Sequence, residues 1–138
     1  MQAPTARELL THPTVQQALE AAWTDSLPAD ALNRHEEGGG IYFNAALDTI
    51  TVRRAPPGAQ AMLDLSAPPL VPNSVVVATL HTHPNPSVEG WEPGPSTADT
   101  QSAWDFGVPC LIRADNGVYL SGPDSRRGEL TGPPGYPQ

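Results

Sequence analysis

Ser74-Val75-Val76-Val77-Ala78-Thr79-Leu80-His81-Thr82-His83-Pro84 reads first as a strand and then as a site. Apolar side chains fall on both faces of the run (Val75 and Val77 against Val76, Ala78 and Leu80), as in a central strand covered by layers on each side. Alternate residues of a strand share a face, so His81 and His83 project together at the point where strand gives way to loop. A short loop later comes Ser96-Thr97-Ala98-Asp99. Ser96 has the character of an N-cap for a helix over roughly Thr97 to Phe106, with Gly107 as its stop. Asp99 then lies in the first turn, where the positive end of the helix dipole favours the ionised carboxylate. Two histidines and one aspartate make three protein ligands. They leave the fourth tetrahedral position of a zinc ion to water, as in catalytic rather than structural zinc sites. Taken singly, the pieces are ordinary: Ser-x-x-Asp is also a capping box, and His-x-His on a strand is commonly plain packing. Their order and closeness point to a metal, in a chain with only four histidines.

Upstream, Arg34-His35-Glu36-Glu37-Gly38-Gly39-Gly40-Ile41-Tyr42-Phe43 sets two glutamates before a glycine run and an apolar strand. A carboxylate hung at the mouth of a sheet can take a proton from zinc-bound water and pass it to a leaving amine. With that glutamate included, the chain resembles the JAMM (MPN+/JAB) zinc metalloprotease family: Glu, then His-x-His-Pro, then Ser-x-x-Asp. The resemblance spans roughly residues 14 to 121. It implies one zinc held by His81, His83 and Asp99, with Ser96 hydrogen-bonding the oxyanion and Glu36 or Glu37 as general acid and base. Both glutamates precede a glycine by the family's spacing. Short bacterial members read Glu-x-Gly-Gly-x-Ile, which favours Glu36. The implied substrate is an amide at the C-terminus of ubiquitin or a bacterial ubiquitin-like protein. Relatives of this type also occur as toxin-like or peptide-releasing hydrolases with no such partner, and others are non-catalytic binding modules. A purely structural zinc site would need a fourth protein ligand, for which His35 is the one nearby residue.

The loop from Pro84 to Pro95 is longer than in the commonest family members and carries Trp91. It is either a proline-stiffened surface loop or a rim that gates the site and grips substrate through Trp91.

At 138 residues the chain is expected to form one domain with a core of its own. A single cysteine excludes a disulfide framework, and Cys110 in Val108-Pro109-Cys110-Leu111-Ile112 reads as a buried strand thiol. No apolar run approaches the roughly 18 residues of a membrane span and nothing resembles a signal peptide, so a reducing, cytoplasmic location is expected. The net charge of -8 argues against nucleic acid and is compatible with a basic protein substrate. All seven basic residues are arginine. An enzyme acting on lysine isopeptides would escape its own substrate chemistry that way, but compositional drift, in a chain rich in Ala, Gly, Pro and Arg, is the plainer explanation.

The expected architecture is α/β: a sandwich with a mixed, mostly antiparallel sheet, a helix on each side and zinc at one edge. The resemblance implies the same fold, JAMM/MPN-like (cytidine-deaminase-like). Residues 1 to 13 are expected to be weakly ordered. Val15, Ala18, Leu19, Ala22 and Trp23 recur with helical spacing after Pro13. Residues 28 to 32 are read as a possible short helix. Ile41 to Asn44 with Thr49 to Arg53, and the apolar runs flanking Ala114-Asp115-Asn116-Gly117, read as two hairpins. Ala55 to Pro72 reads as a long crossing, in which Met62 to Leu65 could turn. Residues 122 to 138 are expected to form a Pro/Gly-rich tail.

Overall fold

The computed structural model of the chain describes residues 3–60, 63, 69–91 and 94–124. Two helices come first, α1 (Ala6–Leu10) and α2 (Pro13–Asp25). Helix α1 is only five residues long. It is held by a reciprocal cap, in which the Glu8 N–H donates to the Thr5 hydroxyl and the Thr5 N–H to the Glu8 carboxylate. Its Ala6, Leu9 and Leu10 are fully buried. The expectation of a loose lead-in is therefore corrected for residues 3–13. A helix this short has too little periodicity to show in the sequence, and burial stabilises it from outside. Helix α2 begins with Pro13 after His12 as N-cap and buries Val15, Leu19 and Ala22, the stripe that its spacing predicted.

Five strands follow: β1 (Gly38–Asn44), β2 (Thr49–Arg54), β3 (Val75–His83), β4 (Cys110–Ala114) and β5 (Gly117–Ser121), with α3 (Thr97–Phe106) between β3 and β4. They form one sheet in the order β2-β1-β3-β4-β5. Only the β3–β4 pair is parallel, because α3 provides the crossover that parallel neighbours need. The other pairs are antiparallel, and two of them are the expected hairpins.

Alternation along β4 shows the layers. Leu111 joins Leu9, Leu10, Val15 and Leu19 in the core beneath α1 and α2, whereas Cys110 and Ile112 pack with Ala103 of α3. The helices thus cover opposite faces. Each large aliphatic side chain buried in the first layer contributes about 1.5–3 kcal/mol. His81 pairs in register with Ile112, which puts it on the α3 face.

Strand β1 starts three residues earlier than the apolar pattern suggests, and glycine makes that possible. A Cβ on Gly38 would lie 2.2 Å from the Leu80 carbonyl oxygen, and one on Gly39 would lie 2.0 Å from that of Arg53. Bare backbone therefore lets β1 run tightly between its neighbours, with Gly38 opposite His81.

Two more expectations are corrected. Residues 28 to 32 form turns rather than a helix, because the Asp30 carboxylate accepts from the Leu32 and Asn33 N–H groups and diverts the chain locally. The start of β3 is not covered on both faces: Val75 is exposed, and burial begins at Val77. Residues 122–124 belong to the domain, since the Asp124 carbonyl accepts from the Ala6 N–H at 2.6 Å. Of the possible turn at Met62 to Leu65 only Leu63 is described, and residues 125–138 lie outside the described residues. Among the described residues no helix is long and apolar enough to cross a membrane.

Candidate metal centre

His81 and His83 leave the end of β3 on one face with their Nε2 atoms 3.2 Å apart. The Asp99 carboxylate meets both, one oxygen 3.4 Å from His81 Nε2 and the other 3.2 Å from His83 Nε2. Zinc bonds of 2.0–2.1 Å in a tetrahedron place neighbouring donors about 3.3–3.4 Å apart. The donor spacing thus fits a tetrahedral ion of that size. Glu36 closes the group from the other side, with one carboxylate oxygen and the two histidine nitrogens all within 4.8 Å of one another. Glu36 and His81 are buried and His83 is half-buried, so the Glu36, His81 and His83 group can hold a metal ion.

Electrostatics fit the same use. Burial would raise the Asp99 pKa, but hydrogen bonds from His81 and His83 hold it far below the usual carboxylate range. Burial would lower the His81 pKa, but the Cys110 sulfur and the Asp99 carboxylate outweigh it and hold the ring well above an ordinary histidine. Burial raises the Glu36 carboxyl, with His81 and His83 partly opposing it. A cluster of this kind holds positive charge well, whether as a proton or as a cation.

The two adjacent glutamates separate cleanly. Glu36 faces the histidines, with its backbone tied to the segment after β2: its N–H donates to the Ala59 carbonyl and its carbonyl accepts from the Gly58 N–H. The Glu37 carboxylate points to the opposite face of the chain. There it takes Arg54 at 2.6 Å and His35 at 2.5 Å. His35 Nδ1 also meets the Asn33 carbonyl, so His35 is engaged away from the centre. Thr82, between the two histidines, sets this register. Its N–H donates to the Glu37 carbonyl at 2.9 Å and its hydroxyl accepts from the Glu37 N–H at 3.0 Å. The same hydroxyl meets Ser26 at the end of α2. These bonds tie the chain next to Glu36 to the strand that carries both histidines.

Ser96 is the N-cap of α3. Its Oγ accepts from the Asp99 N–H at 3.1 Å while its own N–H donates to the Asp99 carboxylate at 2.9 Å. Gly107, at φ 74°, ends the helix in the left-handed conformation. The cap and the proposed ligand are thus one device: the bonds that start the helix also aim Asp99.

Glu36, His83, Ser96 and Asp99 line a cleft of ≈ 640 Å³ that Trp91 borders. The loop carrying Trp91 is anchored at two places. Asn85 and Gln60 exchange side-chain and backbone hydrogen bonds at 3.0 Å. The buried Arg34 guanidinium holds Glu89 of a short 3-10 turn (Ser87–Glu89) at 3.3 Å. A second recess of ≈ 320 Å³ opens beside His81 and Asp99, walled by Leu63, Ala103, Phe106, Val108 and Cys110.

Sequence reasoning missed one participant. Cys110 is buried as expected, but its sulfur lies 3.1 Å from His81 Nδ1. A His81 ring that bound a cation through Nε2 would carry its proton on Nδ1 and donate it to that sulfur, which would orient the ring. The signal was in the register, since Cys110 pairs with Thr79, two residues before His81 and on the same face, but that pairing is not visible in a single sequence. No family model, no curated protein and no solved structure matches this chain.

Proposed function

We propose that the protein is a zinc-dependent peptidase or isopeptidase of JAMM type, with His81, His83 and Asp99 as ligands and Glu36 as general acid and base. The observation that carries this reading is the convergence of three donors at tetrahedral spacing with a buried carboxylate facing them across a cleft. A zinc ion held there supplies Lewis acidity toward water and toward a carbonyl oxygen. Glu36 accepts a proton from the attacking water as the new C–O bond forms. It returns that proton to the amide nitrogen as the C–N bond breaks. Its burial-raised pKa suits both halves of that transfer. The Ser96 oxygen already accepts from the Asp99 N–H, so the hydroxyl proton remains to be donated to the carbonyl oxygen as that atom gains charge. Asp99 is kept aimed by the Ser96 N–H.

The likeness to the JAMM family carries a ubiquitin-like C-terminal tail as the expected substrate. A second reading, a peptide hydrolase without a ubiquitin-like partner, is favoured by the recess beside His81, which is larger than a glycine needs. Glu36→Gln tests the reading common to both. It is expected to keep its zinc and to lose about 10²–10⁴-fold in turnover. An active Glu36→Gln protein would remove the proposed base.

A further inference from the structure

Two recesses meet at the centre, and they differ in which of the site residues they reach. The cleft on the Glu36 side is bordered by polar groups and by Trp91. The recess on the His81 side has an apolar wall of Leu63, Ala103, Phe106, Val108 and Cys110, with Thr79, Ser102 and Asp105 also lining it and His81 and Asp99 shared with the centre. Its ≈ 320 Å³ lies at the lower end of the range of small-ligand pockets, about 300–1,000 Å³. A recess of that size with a largely apolar wall, open to solvent at Ser102, Asp105 and Phe106 and reaching His81 and Asp99, has room for one large side chain.

Proton transfer decides which side of the cleaved bond that side chain belongs to. The leaving nitrogen must come within reach of Glu36, which lines the cleft and not the recess. The amine half of the substrate therefore lies in the cleft, and the residue that contributes the carbonyl turns toward the recess. Resting on the hydrolase reading above, we infer that this recess is a specificity pocket for a bulky apolar side chain, of leucine or phenylalanine size, on the acyl side of the cleaved amide. The favoured substrate then carries an apolar residue at that position, and a tail ending in glycine leaves the recess unfilled.

Two measurements on the full-length, zinc-loaded chain test this separately from catalysis. The first titrates N-acetyl-leucinamide and N-acetylglycinamide into isotope-labelled protein and follows the amide signals of Ala103, Val108 and Cys110. The second compares cleavage of matched peptides with leucine or glycine before the cleaved bond. A methylene-sized difference read by an apolar pocket is worth about 10–200-fold, so leucine should exceed glycine by at least about tenfold in affinity and about 100-fold in kcat/KM. Ser102→Trp, on the exposed rim, is expected to fill the recess and erase the preference. Phe106→Ala, which removes a partly exposed wall, should weaken leucine binding several-fold even if the first variant folds poorly. Equal binding of the two amides, or leucine binding untouched by both variants, overturns the pocket. Cleavage that favours glycine overturns it while leaving the hydrolase reading intact. Leucine-selective binding with no cleavage of any peptide upholds the pocket and overturns the hydrolase reading instead.

Discussion

Replacing Thr82 with valine keeps the shape of the side chain and removes one hydroxyl from beneath the centre. The relay it belongs to has a definite direction. The Ser26 hydroxyl donates to the Ala22 carbonyl at 2.8 Å, so its oxygen accepts from Thr82. Thr82 in turn accepts from the Glu37 N–H at 3.0 Å. Valine leaves that buried N–H without an acceptor, at a cost of about 1–3 kcal/mol, and deletes a second hydrogen bond worth about 1 kcal/mol. The expected destabilisation is therefore about 2–4 kcal/mol. With an unfolding entropy near 2.1 cal/mol/K per residue, a chain of this length has roughly 290 cal/mol/K, so each kcal/mol lowers Tm by about 3.4 °C. Thr82→Val should melt about 7–14 °C below the parent, measured by calorimetry or circular dichroism on matched metal-free samples. Thr82→Ser keeps the hydroxyl and should recover most of the loss. Because the relay also holds Glu36 against the histidines, Thr82→Val should lose turnover as well. A Thr82→Val protein melting within about 2 °C of the parent would refute the relay.

Two more outcomes follow from the same geometry. Glu37→Gln removes the charge that Arg54 and His35 share; Arg54 is partly solvated, so the loss should be about 1–3 kcal/mol in a denaturant titration, with turnover of the folded protein changed no more than a few-fold. A Glu37→Gln protein of full stability but without activity would transfer the base from Glu36 to Glu37. Cys110→Val keeps the bulk but removes the acceptor for His81 Nδ1–H, and zinc affinity by chelator competition should fall about 10–100-fold, with Cys110→Ser restoring most of it. Unchanged affinity in Cys110→Val would show that the sulfur does not orient the ring.

Local chemistry made much of this legible in the sequence. The β3 strand, the capped α3 helix, the α2 stripe and both hairpins each carry a signal within a dozen residues: a continuous apolar run, a capping box, helical spacing, or two short strand-like runs close together, joined in the second hairpin by Asn116-Gly117. The His81, His83 and Asp99 triangle follows from the same signals, because strand alternation and the Ser96 cap aim all three side chains. The choice between Glu36 and Glu37 was only half legible. Spacing to glycine admits both; that Glu36 is the one facing the histidines becomes visible only with Arg54 and His35 in place around Glu37. Helix α1 was hidden because five residues carry no usable period and depend on contacts formed by the rest of the domain. Strand β1 began earlier than expected because glycine has low strand propensity, yet close approach to Leu80 and Arg53 leaves room for nothing larger. The role of Cys110 needed the parallel register of β3 and β4, which is a property of the whole fold.

The central claim is a metal held by the histidine pair and Asp99, and the most direct measurement is zinc per chain in the purified protein beside His83→Ala and Asp99→Asn. The account predicts about one zinc in the parent, and loss of most of it in both variants while their circular dichroism stays native. A parent that takes up no zinc after refolding with the metal, or variants that keep a full equivalent, would contradict it.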